Sequence, residues 1–163
     1  MKIILIILTF ILSLILQTTS IHFVSFHNVS PNLVLIFVLL LIIFNDFKKL
    51  WWVVILSGFF LDLFSGLPFG IISISLVLSS YLVDWLNRTI ISTVKFWTII
   101  GLVAVGVLAY NLILILFNIF FINPDKSFLE LILRILIELL YNSIFTIIIF
   151  YAVKKIFHKE TNA

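Results

Sequence analysis

The chain has no cysteine, only three prolines and five glycines in 163 residues, and just 10% of its residues are charged. Without thiols there are no disulfides and no thiol chemistry, and the redox compartment goes unmarked. Charge is scarce against roughly 25% in an ordinary soluble domain, and no hydrophilic stretch is long enough to fold by itself. That excludes a separate aqueous domain. The three histidines do not form a metal set, since His22 and His27 share one polar segment and His158 lies at the opposite end of the chain. A P-loop, a glycine-rich dinucleotide turn, a serine elbow and a pair of carboxylates at catalytic spacing are all missing from the sequence. The expectation is a non-enzyme with no cofactor and no metal.

What is present is apolar: 64% of the residues, 16% of the chain being aromatic. No soluble interior hides that much, so lipid is the expected solvent for most of the surface. The polar breaks divide the chain into six expected spans, about 3–21, 31–47, 50–66, 69–87, 96–122 and 128–153. The expected fold is all-α, a single six-helix transmembrane domain over 1–163. Met1 and Lys2 before IILIILTFILSLIL resemble a secretory leader, but QTTSIHF carries no cleavage pattern, so the first span is expected to be retained. Ser30 before Pro31 reads as a helix start, with serine as cap and proline in the first turn. Trp51 and Trp52, after the charged turn of Asp46, Lys48 and Lys49, read as an interfacial belt.

Placing both termini in the cytoplasm puts Lys2, Lys48, Lys49, Arg88, Lys95, Lys154, Lys155 and Lys159 inside and Lys126 outside. The positive-inside rule therefore gives an N-in, C-in chain. The same placement argues against nucleic acid, because the cations separate apolar runs and make no aromatic-interleaved patch. The basic turns read as topology signals, with contact to anionic lipid or a filament as the second reading.

The third span ends in SGFFLDLFSGLPFG, from Ser57 to Gly70. Gly58, Asp62 and Gly66 stand four apart, one stripe of a helix that Pro68 stops. Two readings of it are open: a meeting surface, where bare glycines admit another helix and the acid faces a partner, or a bend at the water boundary. In the fourth span Gly70, Ser73, Val77, Ser80 and Asp84 recur at steps of three and four. Close packing of spans three and four, or of both around a third element, follows.

Two further polar rows enter the apolar region. Ala104, Asn111 and Asn118 fall near one face of span five, where buried amides read as interhelical glue or, alternatively, as ligand contacts. Ser127 and Glu130 have the spacing of a capping box. Beyond them Arg134, Glu138, Asn142 and Thr146 continue at steps of four. An intramembrane carboxylate one turn from a guanidinium reads either as a functional site or as an ion pair along the helix. Asp62 and Arg134 both fall in the outer half, so a pair between them is also expected.

Taken together, SPNLVLIF with Pro31 in the second span, GFFLDLFSG closing the third and LPFG opening the fourth resemble MreD, the rod shape-determining membrane protein family of bacteria. The likeness is carried by Pro31, Gly58, Asp62, Gly66, Pro68 and Gly70 and by overall size and layout; it does not extend by motif to Glu130, Arg134 and Glu138. It implies a bundle similar to the substrate-binding subunits of energy-coupling-factor vitamin transporters, in the bacterial cytoplasmic membrane. It also implies a non-enzymatic scaffold of wall elongation, whose partners are MreC, MreB filaments and the synthase and transpeptidase that build peptidoglycan. The competing expectation is a vitamin-binding transporter subunit with an external pocket. With loops this short, recognition of MreC is expected to run helix on helix in lipid, through the small faces of spans three and four.

Overall fold

A computed structural model describes residues 2–24, 29–89, 96–121 and 128–158. Among these the chain is all-helical, with α1 at Lys2–Val24, α2 at Leu33–Phe44, α3 at Phe47–Ser65, α4 at Ile71–Thr89, α5 at Phe96–Phe121 and α6 at Phe128–His158. Within α5, Phe96–Ile119 is long and apolar enough to cross a membrane, and so is Leu131–Tyr151 within α6.

The bundle is built around α2. Its sequence, LVLIFVLLLIIF, is apolar on every side, the pattern of a helix with no solvent face. Every residue from Leu33 to Ile43 is buried, and α1, α3, α4, α5 and α6 all pack on it. It is only 12 residues long, or about 18 Å, shorter than the expected second span of 31–47. It falls short at both ends, Asn45 closing it and Phe47 already opening α3. Asn32 and not Ser30 is the cap, accepting from the Leu35 amide at 3.0 Å, so Pro31 stands before the helix instead of in its first turn. A buried helix start leaves donors that need partners. The Asn32 amide donates to Asn142 Oδ1 of α6 at 2.9 Å, and the Val34 amide to Gln17 Oε1 of α1 at 3.0 Å.

The helices approach closely where side chains are small. A Cβ built on Gly106 of α5 would stand 2.6 Å from Leu39 Cδ1 and 2.9 Å from Val83 Cγ2, so this glycine lets α5 lie against α2 and α4. Ser57, Ser75 and Ser79 are wholly buried with their hydroxyls turned back onto the carbonyls of Val53, Ile71 and Leu76. Each stays short and internally satisfied, which is what a tight crossing needs.

Candidate functional site

Helices α3 and α4 form an antiparallel hairpin closed by the turn Gly66 to Gly70. Gly66 ends α3 with φ +67°, and Gly70 precedes α4 with φ +98°. Both lie in the left-handed region that glycine enters without steric cost. Ser65 Oγ donates to the Asp62 carbonyl and accepts from the Leu67 amide, fixing the turn, while the exposed Pro68 accepts from the Ile71 amide.

Asp62 is buried on α3, and its carboxylate is spent on the first turn of α4. It accepts from the Ile72 amide at 3.0 Å, the Ser73 amide at 3.1 Å, and the Ser73 hydroxyl. Those amides have no intrahelical acceptor, and the positive end of the helix dipole favours an anion there. One turn earlier Gly58 meets Ser73 directly: a Cβ on the glycine would stand 2.6 Å from the Ser73 Cα. The opposite end of the hairpin repeats the device in reverse. Asp84 of α4 accepts from the Phe47 amide at the start of α3, at 3.1 Å, and is gripped by Arg88 through Nε at 2.9 Å and Nη2 at 3.0 Å. Arg88 also reaches Asp46 at 3.0 Å, and Asp46 reaches Lys49 at 3.3 Å. Each helix of the pair thus caps the other's N-terminus with an aspartate.

Several expectations change on these facts. Gly58, Asp62 and Ser73 form a meeting surface, but one closed within the chain between α3 and α4. Gly66 belongs to the turn and has nothing within 4 Å of a built Cβ, so it does not continue a packing stripe. Asp62 does not pair with Arg134: the acid is consumed by α4, and among the described residues no carboxylate lies within ion-pair reach of the Arg134 guanidinium. For the same reason Arg134 and Glu138 make no ion pair along α6. Arg88, expected in a basic inner turn, is held by Asp84 and Asp46. The buried face of α4 overlaps the expected one only in part: Ser80 and Asp84 are buried, Ser73 and Val77 are half-buried, Gly70 stands in the turn, and Ser75 and Ser79, outside the expected row, are wholly buried.

A second polar assembly lies around the start of α2. Glu138 and Asn142 of α6 are buried, as are Tyr110 and Asn111 of α5 and Asn32. The Glu138 carboxyl faces the side chains of Asn111 and Asn142, and the Tyr110 phenol faces Asn32. Asn111 turns its amide nitrogen back onto the Val107 carbonyl at 3.0 Å. Asn142 spends Oδ1 on the Asn32 amide and leaves Nδ2 without a partner; Thr146 below it bonds the Asn142 carbonyl. Toward the hairpin turn, a cavity of about 230 Å³ opens between that turn, α5 and α6, lined in part by Asn111, Asn118 and Arg134. Asn118 Oδ1 is buried there without a partner. Ser127, Lys126, Lys95 and the side chain of Glu130 lie outside the described residues.

The sequence singled out Asp62 and Asn142 but not what they serve, because their partners are backbone amides that carry no residue-type signal. Gly106 went unremarked, although a glycine inside so apolar a helix is a packing signal in itself. Compared with known proteins, the chain matches no family model, no curated protein and no solved structure.

Proposed function

We propose that the chain is a six-span protein of the bacterial cytoplasmic membrane, N-in and C-in, acting as a non-enzymatic scaffold of the wall-elongation complex in the manner of MreD. The observation that carries the membrane part is the outer surface. Leu12, Phe64, Leu78, Leu112, Leu140 and Ile148 are exposed on five different helices that surround α2, and soluble monomers do not expose apolar belts of that extent. Even α2, too short to cross alone, fits a bilayer when sheathed by longer neighbours. The MreD part rests on the motif residues Pro31, Gly58, Asp62, Gly66, Pro68 and Gly70 together with the chain's size.

The scaffold reading must find its partner surface elsewhere than in the glycine stripe, which α3 and α4 occupy with each other. MreC's span would then meet the lipid-facing side of the bundle, while the clasped hairpin supplies rigidity. MreB and the peptidoglycan synthase and transpeptidase are reached through that complex. The cavity near Arg134 favours a second reading, the vitamin-binding subunit of an energy-coupling-factor transporter. Purification from native membranes separates the two: the scaffold brings down MreC, whereas the transporter subunit brings down an ATPase module and a small water-soluble ligand. Recovery of the latter set without MreC contradicts the proposal.

A further inference from the structure

The cavity between the hairpin turn, α5 and α6 holds three features that do not belong to packing. Arg134 is exposed on its wall, with no carboxylate among the described residues to pair it. Asn118 offers a buried amide oxygen with no donor. The remaining wall is mostly hydrocarbon, including Leu67, Ile71, Leu114 and Ile135. A guanidinium at the edge of an apolar cavity calls for an oxyanion, because phosphate and carboxylate match its fork of donors. The orphaned amide oxygen calls for an O–H or N–H donor on the same ligand. Aliphatic walls call for a tail.

From this we infer that the cavity binds an anionic amphiphile, the phosphate of a membrane lipid seated on Arg134, a head-group hydroxyl donating to Asn118, and an acyl chain lying along Leu114 and Ile135. Ser65 contributes shape only, since its hydroxyl is already taken by the Asp62 carbonyl and the Leu67 amide. Glu138, which feels the Arg134 charge from beyond ion-pair distance, is turned toward Asn111 and Asn142 and does not line the cavity. Seated this way, the lipid bridges α5, α6 and the hairpin turn at the end of the bundle where the core helix α2 does not reach.

The inference rests on the chain lying in a bilayer and not on its association with MreC, so the two fail separately. The test uses the full chain purified in a neutral maltoside detergent, with binding read by native mass spectrometry and by melting temperature. Dioleoyl phosphatidylglycerol added to the micelles should stabilise the native chain and remain bound after gentle activation, and dioleoyl phosphatidylcholine should not match it. Arg134→Gln should weaken the phosphatidylglycerol effect by about tenfold in midpoint concentration, the scale of one charge-assisted contact. Asn118→Leu should weaken it by a smaller factor, with the unliganded melting temperature of each variant serving as the fold control. Equal binding of the two lipids, or an Arg134→Gln variant that binds as the native chain does, overturns the site. A shift by glycerol 3-phosphate alone as large as that by phosphatidylglycerol overturns the amphiphile and leaves a free-anion site.

Discussion

Gly58 within α3 and Gly66 just past its end are the same residue type at a spacing that reads as one stripe, yet they do different work. At Gly58 the obstacle is backbone, the Ser73 Cα 2.6 Å from a built Cβ, and backbone does not rotate aside. At Gly66 the space is open and the constraint is the positive φ. Gly66→Ala should therefore cost about 1 kcal/mol of unfolding free energy, and Gly58→Ala about 1–3 kcal/mol through forced separation of α3 from α4. Unfolding in detergent compares them; a Gly66 variant that proves the more damaging would reverse the assignment. The two capping aspartates differ in the same spirit. Asp62 is 4% exposed and holds three donors, whereas Asp84 shares its charge with an Arg88 side chain that is 45% exposed. Asp62→Leu should cost at least about 2 kcal/mol, because buried donors lose their acceptor. Arg88→Gln should cost under about 1 kcal/mol, the range of a solvent-screened pair. Equal losses for the two would show that the Asp62 cap is not the stronger clasp.

At the level of elements, the helices and their breaks were largely legible in the sequence, while the role of α2 was not. A run such as LVLIFVLLLIIF satisfies lipid and protein interior alike, so composition cannot distinguish a lipid-facing helix from a sheathed one. Its helix start is likewise set by Asn142, which is far along the chain, and by Gln17, neither of which has any local relation to Pro31. The turn from Gly66 to Gly70 was readable because its glycines and proline are local requirements of backbone geometry. The polar row of α6 was readable as a row, but its members divide: Arg134 lines a cavity, Glu138 faces buried amides, and Asn142 caps α2. Asn142→Leu should lower the melting temperature by leaving the buried Asn32 amide unpaired, a loss of about 1–3 kcal/mol. Asn142→Gln, which keeps an amide acceptor without setting a second carboxylate beside Glu138, should retain more of that stability; if it does not, the cap at the head of α2 is misassigned.

On the scale of the whole molecule, two helices are long and apolar enough to cross a membrane, and on the proposed six-span placement any activity is exercised inside the bilayer or through partners. The cysteine-free sequence makes the orientation directly measurable. Phe69→Cys, in the exposed hairpin turn, should react with a membrane-impermeant maleimide in intact cells. Lys48→Cys, at the start of α3, should react only after permeabilisation. Labelling with the opposite pattern would invert the topology and move the Arg134 cavity to the cytoplasmic leaflet.

The scaffold account stands most directly on cell form. Depleting the chain from its native host and recording the length-to-width ratio of single cells should show rods becoming spheres, with re-expression of the native chain restoring the rod. Cells that keep their rod shape and dimensions through complete depletion would contradict it.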